Sequence, residues 1–151
     1  MLRHLMHGDG YTWNPYYSEA SLHVLGDWYQ TQVSVAPRSA ELIQKDRDNL
    51  PEWFHSDIPV EDLTAYTLWL CLDSGGYLGE LFILKFPSIR WSIQKGKSTL
   101  YFNQPVIGKF IRGMTVSPFQ LVTVIAYKCV DGVLASNEFL RLLEVYSELV
   151  V

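Results

Sequence analysis

The sequence predicts an α+β protein of about five helices packed with a small antiparallel β-hairpin sheet. Three observations carry this. Apolar residues recur at helical spacing in several stretches, and two of these, at Ser18 and at Ser117-Pro118, open with a capping residue. Around Ile89–Ile93 the pattern switches to strict alternation, which suits a half-buried strand. Proline and glycine then mark the breaks between these stretches, at Pro37, Pro51, Gly75-Gly76 and Asp131-Gly132.

Residues 1–17, rich in Tyr, Trp, Gly and Pro, read as an irregular arm that packs on one domain spanning 18–151. From Ser18 a helix is expected to about Ala36, with Leu22, Leu25, Trp28, Tyr29, Gln32 and Val33 near one face. Val33-Ser-Val35 favours extended backbone and weakens the helix end, and Pro37 stops it. A second helix is expected from about 37–39 to Leu50, carrying Ala40, Ile43, Arg47 and Leu50 at helical spacing. Glu52–Ile58 reads as a short 3-10 turn with Trp53 and Phe54 tucked inward.

Pro59 at a first-turn position, followed by Glu61 and Asp62, predicts a third helix through Leu72, because acidic residues suit the positive end of the helix dipole. Gly75-Gly76 is expected to supply its positive-φ cap. Tyr77–Phe86 fits helical spacing at Leu78, Leu81, Phe82 and Lys85. Leu81–Phe86 alone also fits a buried strand, and helix is preferred. Ile89, Trp91 and Ile93 alternate with Arg90, Ser92 and Gln94. Lys95-Gly96-Lys97 turns the chain, Thr99–Phe102 returns, and Pro105 ends the hairpin. Val106–Met114 is a connection of open form. Ser117-Pro118-Phe119-Gln120 starts a helix running to about Val130, closed by Asp131-Gly132. A last helix from Ser136 places Phe139, Leu142, Leu143, Tyr146 and Leu149 on one stripe.

The bulk properties narrow the function. The chain has 151 residues, 48% of them hydrophobic and 19% charged, the make-up of a folded domain rather than a disordered one. At this length folding buries roughly 70% of the unfolded surface, so neither disulfides nor a metal is required for stability. Neither a cofactor nor a resident metal is expected. The longest apolar runs, Leu68–Leu72, Leu81–Leu84 and Leu121–Ala126, fall far short of the ~20 residues that span a bilayer. No secretory leader is visible, and Cys71 and Cys129 read as buried free thiols, so a cytoplasmic, non-membrane protein is expected. Aromatic residues at 14% exceed what a core needs, which points to a binding surface.

The residues that bear chemistry offer no catalytic motif. His4-x-x-His7 with Asp9 has helix-compatible ligand spacing but no fourth ligand. Cys71 lies near Asp73, whose charge opposes a thiolate, and no G-x-S-x-G elbow exists. Gly75-Gly76-Tyr-Leu-Gly79 lacks the order and the lysine of a phosphate loop. Glu80 follows it in an apolar stretch; half buried there, it would need a partner such as Arg90 or Lys85, and a structural ion pair is preferred to a general acid or base.

Net charge is −4, but residues 1–75 carry −7 and residues 76–151 carry +3. Two clusters result. Lys85, Arg90, Lys95, Lys97, Lys109 and Arg112 lie in a stretch without acids, interleaved with Trp91, Tyr101, Phe102 and Phe110. A nucleic-acid module on the basic hairpin 85–112 is one reading. The acidic pI of 5.5 argues against nucleic acid, and a solvated hairpin edge is preferred. The opposite cluster, Glu41 through Asp73, holds Glu41, Asp46, Asp48, Glu52, Asp57, Glu61, Asp62 and Asp73 against only Lys45 and Arg47, with Trp53 and Phe54 in its middle. Carboxylates around aromatic anchors suit docking on a basic protein surface, as in an inhibitor occupying the phosphate site of a nuclease. Solvated helix faces explain the same charges equally well.

Gly76-Tyr-Leu-Gly-Glu80, Trp91 in a strand, a return ending near Pro105 and a helix starting at Pro118 together resemble small bacterial proteins of toxin–immunity systems. The resemblance spans about Leu70–Gln120. It implies a cognate immunity protein that binds and neutralises a toxin. The expected function is therefore a non-catalytic interaction protein with Asp46, Asp48, Glu52, Trp53, Asp57, Glu61 and Asp62 as its contact surface. The alternative is a small enzyme or ligand-binding protein with a pocket at Glu80 and Arg90. The sequence leaves the oligomeric state open.

Overall fold

The computed structural model describes residues 1–97 and 101–151. Its helices are α1 (Leu2–Gly8), α2 (Glu19–Gln32), α3 (Ala40–Asn49), α4 (Ala65–Lys85), α5 (Pro118–Val130) and α6 (Ala135–Ser147). Two separate two-stranded antiparallel sheets complete the α+β architecture: β1 (Val35–Pro37) with β2 (Glu61–Leu63), and β3 (Arg90–Ile93) with β4 (Pro105–Gly108). There are thus more helices than the five expected, and two hairpin-like sheets in place of one.

The core lies between α2, α4, α5 and α6. The side chains of Trp28, Tyr29, Phe82, Phe110 and Phe139 are all but inaccessible to solvent, together with Leu22, Leu25, Leu70, Leu78 and Leu81. Each contributes roughly 1.5–3 kcal/mol of burial, so these residues outweigh every polar contact at the surface. Tyr29 meets Phe139 edge-to-face with ring centres 5.5 Å apart, and its hydroxyl lies 3.1 Å from the Cys71 sulfur. α2 packs on α6 where Gly26 leaves no side chain: a Cβ there would lie 2.4 Å from the Ser136 Cα. α4 packs on α5 in the same way at Gly75, where a Cβ would lie 2.9 Å from the Phe119 Cα.

That contact explains the largest departure from the sequence reading. Gly75 and Gly76 do not cap a helix; α4 runs through them to Lys85, and neither has positive φ. The helix starts later than Pro59. Residues 61–63 form β2, and the Thr64 side chain accepts from the Thr67 amide as the N-cap. Likewise α2 stops at Gln32, and Val35–Pro37 leaves the helix to pair with β2, with Val35 opposite Leu63 and Pro37 opposite Glu61. Ser34 joins the two regions, its amide donating to Thr67 Oγ1 at 3.0 Å.

In the second sheet Pro105 begins the return strand rather than ending it: Ile93 pairs with Pro105 and Arg90 with Gly108. Of the expected return strand Thr99–Phe102, Thr99 and Leu100 lie outside the described residues, while Tyr101 and Phe102 belong to the turn before β4. The open connection after it is β4 followed by a 3-10 turn at Ile111–Gly113. α5 and α6 form as expected, with the Ser117 side chain accepting from the Gln120 amide and Gly132 at φ +86° closing α5.

The N-terminal arm is partly helical. In α1, Leu2 and Met6 are four residues apart and both buried. Tyr77 anchors the rest. Its hydroxyl accepts from the Tyr17 amide at 2.9 Å, shares a hydrogen bond with Ser21 Oγ at 2.5 Å, and its ring meets Trp13 and Tyr17. Among the described residues, no helix is long and apolar enough to cross a membrane.

Candidate functional site

Between β1 and β2 the chain leaves the core for residues 38–60. This excursion holds α3 and a 3-10 turn at Glu52–Asp57, and neither contains a buried residue. The local sequence explains why. α3 (AELIQKDRDN) offers only Leu42 and Ile43 as large apolar side chains, so it has no stripe with which to join the core. It forms because Ser39 caps it, accepting from the Leu42 amide, and because Glu41 lies in its first turn and Arg47 in its last.

Two polar clamps hold the excursion in place. Arg38, with only 13% of its side chain exposed, donates to Asp46 Oδ2 at 2.6 Å and to the Pro59 carbonyl at 2.9 Å. It therefore ties α3 to the strand leading into β2. His55 Nε2 lies 2.9 Å from the Arg47 carbonyl and 3.0 Å from the Leu50 carbonyl. Both are acceptors, so this nitrogen carries the proton. In a 3-10 turn residues three apart share a face. His55 and Ile58 turn inward, which sends Trp53 and Phe54 outward.

Trp53 and Phe54 are thus not tucked in, as the sequence suggested. Trp53 is 77% exposed, and its ring meets Phe54 edge-to-face at 5.6 Å. The carboxylates around them divide into two groups. Asp46 is held by Arg38, Asp48 accepts from Gln44 at 2.9 Å, and Asp62 accepts from the Tyr127 hydroxyl at 2.7 Å. That last bond, with burial, pushes the Tyr127 phenol up to about 12. Glu41, Glu52, Asp57 and Glu61 are exposed and have no side-chain partner among the described residues. Sequence reasoning grouped all the acids together. The structure leaves Glu52 and Asp57 on the same 3-10 turn as Trp53, and Glu61 on β2, as available charge, and commits Asp46 and Asp62 to internal contacts.

The second candidate is rearranged. Glu80 is exposed, and its Oε1 accepts from the Trp91 indole nitrogen at 2.7 Å. Arg90 instead donates to the Pro87 and Ile89 carbonyls, and Lys85 pairs with Glu19 at 3.2 Å. Glu80 and Arg90 are therefore not a pair. The Trp91 ring lies over Gly79, where a Cβ would come within 2.2 Å of it. Glu80 does line a shallow groove of about 430 Å³ with Leu2, Trp13, Tyr17, Asp73 and Gly76, and there Asp73 Oδ2 is buried with no hydrogen-bond partner among the described residues.

The remaining sequence candidates have structural employment. Asp9 accepts from Trp28 Nε1 at 2.7 Å and from Gln32 Nε2 at 3.0 Å, while His4 and His7 are exposed. No group of three metal-ligating side chains occurs among the described residues. Burial pushes the Cys71 thiol up, and burial with the Glu138 charge pushes Cys129 up to about 11, so neither is an activated nucleophile. On the basic hairpin, Lys95 and Lys97 are exposed, but Trp91 is bound to Glu80 and Phe110 is buried. The chain matches no protein-family model, no curated protein and no solved structure.

Proposed function

We propose that this chain is a non-catalytic interaction protein that inhibits a basic partner protein, in the manner of a bacterial immunity protein neutralising its toxin. One observation carries the reading: an excursion whose helix and 3-10 turn bury no residue holds Trp53 outward among carboxylates that have no side-chain partner among the described residues. Leaving a tryptophan 77% exposed has no folding rationale, since its burial would stabilise the fold. A protein partner supplies one. Trp53 and Phe54 serve as the central anchors, and Glu52, Asp57 and Glu61 steer a basic surface toward them. The clamps at Arg38 and His55 keep the surface preformed, which lowers the entropic cost of binding. The two reduced thiols suit a cytoplasmic location.

The test is affinity capture with the whole chain, followed by titration of the retained protein. Trp53→Ala should weaken binding by roughly 30-fold or more, the usual loss at an aromatic anchor. Glu52→Lys with Asp57→Lys should slow association and remove its salt dependence. Neither change should move the melting temperature. A captured partner that binds both variants as tightly as the parent chain would remove this surface from consideration.

A second reading, a ligand-binding groove, draws on the buried and unpartnered Asp73 Oδ2. It predicts that Asp73→Asn or Glu80→Gln abolishes binding of a cationic ligand while the fold survives. If either change unfolds the chain, that carboxylate is structural.

A further inference from the structure

We infer that the outward face of α4 and α5 is a self-association surface, pairing two copies of this chain. The inference is independent of the function proposed above. On α4, Leu68, Trp69 and Leu72 fall within one arc at 100° per residue and are 39%, 62% and 45% exposed. On α5, Val124 and Tyr127 are 53% and 47% exposed. The two helices run antiparallel in contact. Gly75 sits against Phe119, and the Tyr29 hydroxyl reaches both the Cys71 sulfur and the Val122 carbonyl, so stepping back along α4 from 75 to 68 steps forward along α5 from 119 to 127. Leu68 and Leu72 therefore lie on the side of α4 next to Thr123 and Tyr127, and the five residues share one face.

This face lacks what solvent-facing helices normally carry. No charged residue occurs from Ala65 to Leu72 or from Pro118 to Tyr127. Elsewhere the exposed helix faces mix apolar residues such as Leu42 and Val145 with charged ones: Glu19 and Asp27 on α2, Glu41 and Asp48 on α3, Arg141 and Glu144 on α6. Water is therefore not the environment that the α4–α5 face fits.

Charge and area identify the occupant as a second copy. The five residues carry no charge, and Asp62 at the edge is already bonded to the Tyr127 hydroxyl, so a highly charged partner finds little complement there. Two copies of a chain of net charge −4 meet little repulsion where each presents these uncharged residues. A two-fold axis on an antiparallel helix pair sets each apolar ridge against its own equivalent. Taking about 200 Å² for a fully exposed large side chain, the five residues expose roughly 500 Å² of apolar surface per copy. Two copies give about 1,000 Å². At the ~65% apolar content of homodimer interfaces this implies about 1,500 Å² in total, within the range of stable interfaces.

Sedimentation velocity and light scattering on the whole chain test this. The mass should approach twice 17.4 kDa by about 100 µM and should not fall as salt rises from about 0.1 to 1 M, because no charge is involved. Trp69→Glu and Leu72→Glu should each weaken self-association roughly 100-fold with unchanged circular dichroism, since both side chains are already exposed. Trp69→Ala with Leu72→Ala is the companion variant should a glutamate disturb the helix. A chain that stays monomeric at that concentration overturns the inference, whether or not it captures another protein through this face. So does a dimer that persists in the double variant. Salt separates this surface from the acidic one: binding at residues 52–61 weakens with salt, self-association does not.

Discussion

Gly75 and Gly76 are adjacent in one helix, and the same substitution should act on them with opposite sign. A Cβ at Gly75 would lie 2.9 Å from both the Phe119 Cα and its amide nitrogen, and 3.0 Å from the Pro118 carbonyl carbon. All three are backbone atoms of the start of α5, so no rotamer change relieves the contact and the helices must move apart. Overpacking of this kind costs about 1–3 kcal/mol, while replacing a mid-helix glycine by alanine returns about 1 kcal/mol of helix propensity. The net expectation for Gly75→Ala is a loss of up to about 2 kcal/mol. At Gly76 a Cβ meets nothing within 4 Å, so Gly76→Ala keeps only the gain, about 0.5–1 kcal/mol. For a chain of this size each kcal/mol moves the melting temperature by about 2–4 °C. Thermal unfolding followed by circular dichroism should thus show Gly75→Ala melting lower than the parent, by up to about 8 °C, and Gly76→Ala roughly 1–4 °C higher. Equal shifts of the same sign would refute the close approach of α4 and α5 and restore the glycine pair to a local role.

Two further perturbations probe the excursion. Arg38→Ala removes the link between Asp46 and the Pro59 carbonyl, so amide exchange and proteolysis within residues 40–60 should accelerate at least tenfold while the main melting transition moves little; equal acceleration in α4 would mean that the excursion unfolds only with the core. Tyr127 has a phenol raised from 10.0 to about 12, so its bond to Asp62 contributes stability that is fully present below pH 10 and is lost as pH rises through about 12. The difference between the absorbance titrations of the parent and Tyr127→Phe should show one phenol with its midpoint near 12, and a midpoint near 10 would remove that bond.

The parts of the fold legible in the sequence were those fixed within a few residues. Ser117 and Pro118 place a cap and a helix start side by side, and Phe139 and Leu143 mark the buried stripe of α6 by their spacing alone. What escaped depends on residues far apart. Val33-Ser-Val35 showed extended preference, but its partner strand begins at Glu61, beyond the whole excursion. Pro59 and the acids after it carry the marks of a helix start, yet Asp62 pairs across β1 and binds Tyr127. Gly75 reads locally as a terminator because the demand for its missing Cβ comes from Phe119. The acidic surface was legible as composition; its division into committed and available carboxylates was not, because Arg38 and Tyr127 make that division from outside the cluster.

The β1–β2 pairing has a consequence for how such a molecule changes over time. Antiparallel register sets Pro37 opposite Glu61, so the chain enters and leaves the excursion at neighbouring points, about 5 Å apart. Whatever lies between those points is closed by the same two short strands, and each doubling of its length adds only about 0.6 kcal/mol of closure entropy. The stretch behaves as a cassette: it can be lengthened, trimmed or rewritten wholesale while the four-helix core keeps its packing. A lineage facing a succession of different partners could then alter what it recognises by editing some twenty residues, without having to rediscover how to fold.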